Sequence, residues 1–292
     1  MSFQLIVNGI SSGAVYALIA VGFALVFSVL KFSNFAHGGT ISACAFVAYF
    51  VHNGLNHPPL WVTILLTCLA GMVIAYLVDL LGYTRLRKNN SGSLFFFLSS
   101  VTFAILIEQI LNVCFGSQMY AITGIFQNTA VEILGTTFSV LDMTILAAAI
   151  ILLLVLILVI EKTRLGLAIR AVAISGRTSR LMGINSSLIV TVTLVIAGLL
   201  AGITGVMLGI KYSVFSSLGP SMMLKGFIAS VIGGLGSLGG AIVAAILLGV
   251  VEIISVYYWG SEITPIILFS IMLIFLLIRP QGVSGRFSQD KA

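Results

Sequence analysis

The fold class this sequence predicts is an all-α polytopic membrane protein, and three observations predict it. Of the 292 residues, 60% are hydrophobic and only 8% are charged, whereas a soluble domain carries about 25% charged residues. The mean hydropathy is +1.21, which leaves too few polar groups to cover a water-facing surface. Apolar runs long enough to cross a hydrocarbon layer, about 20 residues each, recur along the whole chain.

In chain order the runs are 5–30, 36–51, 60–83, 93–115, 141–160 and 188–210, then a glycine-broken region 223–258, and last 263–278. The first run has no basic flank and no small-residue cleavage pattern, so it reads as a retained helix and not as a signal peptide. Its Gly9 and Gly13, four apart, suit close helix packing. The second run is short. It follows "KFSNFAHGGTIS", where Asn34, His37, Gly38 and Gly39 interrupt apolar sequence on both sides. Non-helical backbone at membrane depth persists only beside protein or a watery cavity. Segment 141–160 is almost uniformly aliphatic after Asp142 and suits a helix facing lipid. Segment 188–210 differs, because Gly198, Gly202, Gly205 and Gly209 recur every three or four residues with Ala201 beside them. That stripe of small residues belongs inside a bundle. Region 223–258 is either one crossing with a re-entrant piece or two crossings. The total is eight or nine spans in a single transmembrane domain, 1–292.

Charge sets the orientation. Loop 84–92, "TRLRKNNSG", has three basic residues and no acid. Loop 161–187 sets Lys162, Arg164, Arg170, Arg177 and Arg180 against Glu161, and the tail sets Arg279, Arg286 and Lys291 against Asp290. Segment 116–140 has Glu132 and no base, and 52–59 has neither Lys nor Arg. The positive-inside rule puts the three basic stretches in the cytoplasm and the N-terminus outside. The net charge of +6 is therefore a topology signal and not a nucleic-acid footprint.

The stretch "VIGGLGSLGGAIVAAILLGVVE", 231–252, contains Gly234-x-Gly236-x-x-Gly239, with Glu252 further on. This spacing matches a dinucleotide-binding turn. Such a turn needs a strand before it, an amphipathic helix after it and further βαβ units, and none is present. The glycines, with Gly233 and Gly240, instead read as a tight break between helices, with Ser237 as the cap of the second. There is no G-x-x-x-x-G-K-[ST] loop and no H-E-x-x-H, and His37, His52 and His57 make no ligand set. Cys44, Cys68 and Cys114 lack a C-x-x-C pair. No catalytic group, cofactor or metal is expected. Glu108 and Glu252 lie within apolar spans; either is a candidate substrate contact, and the favoured expectation is a partnered acid facing the bundle interior. Lys211 and Lys225 are expected to snorkel to the interface.

The longest polar stretch is 161–187. Thr163 caps a helix to about Ile174, Ser175-Gly176 interrupts it, and a short second helix ends at Gly183. Leu165, Ile169 and Val172 form an apolar stripe, and Arg164, Arg170 and Arg177 are free for a partner. A capped amphipathic helix on the inner face is a docking element for a soluble subunit.

Taken together, these blocks resemble the permease subunit of branched-chain amino acid ABC transporters, essentially end to end. "NGISSGAVYALIAVGFALVFSVLKFSNFAHG", 8–38, is similar to that family's opening block. "TRLGLAIRAVAISGRTSRLMGIN", 163–185, resembles its ATPase-coupling loop. "GLLAGITGVMLG", "MMLKGFIASVIGGLGSLGGAIVAAILLG" and "RPQGVSG" match its later blocks. The resemblance implies an importer of branched-chain amino acids in the bacterial inner membrane. Its implied partners are a second permease subunit, two cytoplasmic ATP-binding subunits and a periplasmic or extracellular substrate-binding protein. Urea and short-amide permeases share the blocks and form the alternative, with an ion-driven carrier using Glu108 or His37 behind it. The expected coupling residues are Arg164, Gly166, Arg170, Ala171, Arg177, Gly183 and Ile184. The pathway and hinge candidates are Asn34, His37, Gly38, Gly39, Gly233, Gly234, Gly236, Ser237 and Gly240.

Overall fold

In the computed structural model, residues 2–55, 57–122, 130–133 and 136–284 are described. The end of the tail, with Arg286 and Lys291 and their expected cytoplasmic placement, lies outside them. Helix α1 (Ser2–Leu30) turns at Lys31 into α2 (Ala36–Gly54). Then α3 (Leu60–Val78) continues through a π-helical turn, Asp79–Tyr83, into α4 (Thr84–Lys88). After α5 (Ser93–Phe115) comes a two-stranded antiparallel hairpin, β1 (Ala130–Ile133) with β2 (Thr136–Ser139). Next are α6 (Val140–Lys162), α7 (Arg164–Ile174), α8 (Gly176–Leu181) and α9 (Ser186–Lys211). The chain ends with α10 (Leu218–Gly233), α11 (Leu238–Trp259) and α12 (Thr264–Ile278). Among the described residues the small hairpin is the one departure from an all-α chain, in a segment the sequence reads as loop.

Among the described residues, six helices are long and apolar enough to cross a membrane: α1, α3 with its continuation, α5, α6, α9 and α11. Helices α2, α10 and α12 complete the bundle. Region 223–258 is two helices joined by a turn: α11 is long and apolar enough to cross a membrane, and α10 is a shorter apolar helix.

The centre of the bundle is α1. From Ser11 to Val26 it is buried on every side. Its Gly9 and Gly13 lie against Val250, Ile246 and Gly249 of α11 with no room for a side chain, and Gly22 leaves space for the His37 ring. On α9 the small-residue stripe serves two neighbours at once. Gly198 and Gly202 meet Gly71 and Cys68 of α3, and Gly205 meets Cys44 of α2. Where helices are already surrounded by apolar chains, such close contact is the main source of association. Helix α6 buries one narrow stripe, Ile145, Ala149, Leu153, Leu156 and Ile160, and leaves the rest of its circumference open, as its composition predicts.

Each charged group buried in the bundle has a local reason. Asp79 accepts two hydrogen bonds from Arg87, at 2.6 and 3.0 Å, and a third from Thr191 of α9. Lys211 pairs with Asp142 at 2.7 Å and reaches Ser11 and Ser12 of α1. Lys225 pairs with Glu252 at 2.6 Å and donates to the Tyr16 hydroxyl. The two lysines expected to snorkel are thus ion-paired between helices. Glu252 is the partnered acid the sequence predicts, and Glu108 is not.

The bundle has two distinct ends. One carries the hairpin and the Tyr120–Val214 bridge. The other carries the α7–α8 elbow. Loop 84–92 borders Arg180 and Asn185 there, and residues 282–284 pack on Gly233 and Gly234. Two of the basic stretches, 84–92 and 161–187, and the start of the tail with Arg279 therefore converge on one end.

Candidate functional site

Three caps in succession build the elbow. The Thr163 hydroxyl accepts from the Gly166 amide at 3.1 Å, Ser175 from Thr178 at 3.2 Å, and the Asn185 side chain from Leu188 at 3.2 Å. Each satisfies an amide that the first turn of a helix leaves unpaired. Gly183 closes the second helix with φ +81°, a left-handed conformation that favours glycine. Gly166 is buried, and a side chain there would strike the Ile160 and Val159 carbonyls. Only glycine lets α7 fold back so tightly against the end of α6.

The two faces of α7 divide the labour. Ile169 and Val172 are buried against the bundle, with Leu165 and Ala171 half-buried. The opposite face of α7 exposes Leu167 and Ile174 (87% exposed), and the end of α8 adds Leu181 (85%) and Met182, with Arg164, Arg170 and Arg177 also exposed on the elbow. This second apolar stripe was not read from the sequence. Part of its signal is present in the seven-residue spacing of Leu167 and Ile174, two turns apart on one side of α7, whereas the Ser175 break takes Leu181 out of that register. Ile184 packs half-buried on the core after the Gly183 turn. Arg170 donates to the Glu161 carbonyl at 3.2 Å. It also lines a 630 Å³ cavity with Lys31, Glu161, Ile174, Gly236 and Ser237.

That cavity joins the elbow to one glycine break. Gly234 and Gly236 have φ of +104° and +87°, and the Ser237 hydroxyl caps α11 by accepting from Gly240 at 3.2 Å. Gly233 and Gly240 press backbone to backbone. The Val283 and Ser284 amides donate to the Ile232 and Gly233 carbonyls at 2.9 and 3.1 Å. The break is thus a turn at the elbow end, strapped by the tail, and not an interruption at mid-bundle.

The other break lies deeper. Asn34 accepts from the Tyr83 hydroxyl at 2.7 Å, and the Phe35 amide donates to Ser100 at 3.3 Å. His37 is 4% exposed, with Nε2 unpartnered and its ring filling the space beside Gly22. Gly38 faces Met223 and Pro220 of α10, and Gly39 faces Ala104 and Ile107 of α5. Asn34 and His37 border a void of only 10 Å³ with Thr40, Ala75 and Gly198. It barely reaches the size of one water, so the bundle is closed there. The two groups of candidates are therefore separate. Gly233, Gly234, Gly236, Ser237 and Gly240 sit with the elbow, and Asn34, His37, Gly38 and Gly39 sit among α1, α2, α5 and α10.

Comparison with known proteins gives a consistent result. A family profile described as "Branched-chain amino acid transport system / permease component" matches residues 5–278. The high-affinity branched-chain amino acid transport system permease protein BraD of Pseudomonas aeruginosa is 30% identical over 303 residues, covering 99% of this chain and 97% of its own. The corresponding protein LivH of Escherichia coli is 28% identical over 300 residues, covering 99% and 97%. A probable branched-chain amino acid transport permease protein LivH of Methanocaldococcus jannaschii is 24% identical, covering 92% and 88%. No solved structure gives a significant match.

Proposed function

The chain belongs to the family of branched-chain amino acid transport system permease components, and from that membership we propose that it is the membrane subunit of an ATP-driven importer of branched-chain amino acids in a bacterial plasma membrane. It acts there as a single transmembrane domain. The elbow carries this reading, as a capped double helix that offers exposed Leu167, Ile174, Leu181 and Met182 among arginines. Apolar groups in a ring of cations, outside the spans, suit a soluble protein partner and not lipid. The partners are two ATP-binding subunits at the elbow, a second permease beside the bundle and a substrate-binding protein at the hairpin end. The chain has no phosphate-binding loop, so ATP hydrolysis is assigned to the partners. The elbow end, with loops 84–92 and 161–187 and Arg279, is the cytoplasmic side.

The mechanism follows from how the elbow is attached. Closure of the ATP-binding pair presses on α7 and α8. Through the tight Gly166 contact α7 displaces the end of α6, and across the Arg170–Gly236 cavity it displaces the α10–α11 turn. A bistable bundle turns that push into alternating openings. The void at Asn34 and His37 is closed in this state.

The test is uptake into vesicles holding the complete transporter, with valine, leucine, isoleucine and urea in competition. ATP-dependent leucine uptake, outcompeted by valine and isoleucine but not by urea, is expected. Leucine uptake by the purified permease alone under an ion gradient would refute the importer reading. Preference for urea would refute the substrate.

A further inference from the structure

Three carboxylates in the spans have cationic partners, and Glu108 does not. Asp79 pairs with Arg87, Asp142 with Lys211 and Glu252 with Lys225. Glu108 is half-buried on α5 and makes no hydrogen bond or ion pair among the described residues. It stands seven residues from the hairpin end of that helix, within hydrocarbon depth. A lone carboxylate facing lipid is costly, and intramembrane acids face protein or a water-filled route.

The helix period gives its direction. Glu108 and Asn112 are four apart and share a face. The Asn112 side-chain oxygen accepts from the Ser216 hydroxyl at 2.6 Å, so this face is turned toward the segment that leads into α10. Towards the elbow end the same stripe continues through Ala104 and Val101 to Phe97. Phe97 meets Phe35 edge-on at 5.9 Å, and Phe35 meets Phe227 of α10 at 5.6 Å. Between these two ends α5 and α10 both rest on α2, Ala104 and Ile107 against Gly39, and Pro220 and Met223 against Gly38. The result is a seam that is closed in this state, with Gly38 and Gly39 buried beneath α10 and α5. Three aromatic rings close it at one end and a single hydrogen bond closes it at the other. One unpaired carboxylate lies between.

We propose that Glu108 receives the α-ammonium group of the transported amino acid as it moves along the seam between α5 and α10. This rests on the reading of the chain as a branched-chain amino acid permease. The carboxylate supplies the counter-charge that a zwitterion loses on leaving water. Phe35, Phe97 and Phe227 supply an apolar surface for the aliphatic side chain. Glycine at 38 and 39 lets α10 and α5 lie close on α2.

The experiment uses the complete transporter in vesicles with leucine as the probe. Glu108→Gln is expected to lower leucine uptake roughly ten- to a hundredfold, the scale of one lost charge-assisted hydrogen bond, and Glu108→Asp to restore part of it. A second measurement covers a variant that assembles poorly. In a background with Cys44, Cys68 and Cys114 replaced, Glu108→Cys is expected to react with a cationic, membrane-impermeant thiol reagent during turnover, and leucine is expected to slow that reaction. Unchanged uptake in Glu108→Gln, or a cysteine reached only by lipid-soluble reagents, overturns the proposal. Either result leaves the permease reading standing, because wild-type leucine uptake is the separate control for that.

Discussion

Alanine at Gly198 tests whether glycine contacts hold the bundle together. The new Cβ would lie 2.6 Å from the Ala75 Cβ and closer still to the Gly71 carbonyl. Two carbons rest at about 3.5–4.0 Å, so α3 and α9 must move apart by about 1 Å. Neither obstacle is the end of a flexible side chain that can swing away. Overpacking of this kind costs about 1–3 kcal/mol. At roughly 2–4 °C per kcal/mol for a chain of this order of size, the apparent Tm of the detergent-solubilised protein falls by about 5 °C. Adding Ala75→Gly removes one of the two clashes and recovers part of the loss. Gly239→Ala is the control, because nothing lies within 4 Å of its added Cβ and its φ is not positive. That variant is expected to be neutral, or stabilising by about 0.5 kcal/mol. The assay is thermal denaturation followed by size-exclusion recovery. If Gly198→Ala melts with the parent or above Gly239→Ala, the seam between α3 and α9 is not held by close approach and the packing argument fails.

Asp79→Asn leaves the half-buried Arg87 without its counter-charge, and is expected to destabilise by about 2–3 kcal/mol, below the figure for a fully buried pair. Adding Arg87→Gln restores much of that, measured by the same denaturation assay. Thr163→Ala removes one cap of the elbow and costs about 1 kcal/mol locally, seen as faster amide exchange over 164–168 with little change in Tm. Arg170→Glu reverses a charge on the docking face, and Leu181→Glu buries a charge in it. Both are expected to abolish co-purification with the ATP-binding subunits while the permease still migrates as a folded species, and normal leucine uptake in both would remove the elbow from the mechanism. Lys211→Met breaks the tie of α9 to Asp142 and Ser11. Proteolysis near the hairpin end is expected to become faster, with no change at the elbow.

Much of this protein was determined by sequence alone, because a bilayer leaves few choices. Backbone groups in hydrocarbon must pair within a helix, so the apolar runs at 5–30, 60–83, 93–115, 141–160 and 188–210 define helices before any contact is known. Charge placement grouped 84–92, 161–187 and the tail, and the bundle brings the first two and the described start of the tail, 279–284, to one end. The elbow was legible for a local reason, since Thr163, Ser175 and Gly183 act on amides a few residues away. Non-local partners were not legible. The sequence presents Lys211 and Lys225 as similar interfacial lysines, yet packing gives each its own acid, Asp142 and Glu252. It presents Glu108 and Glu252 as similar buried acids, and among the described residues packing pairs only Glu252. It marks two glycine breaks as alike, whereas one is a turn strapped by residues 283–284 and the other lies among four helices. The periodicity of a helix says which residues share a face. Which neighbour covers that face depends on the arrangement of all the helices together, and only the tertiary structure decides it.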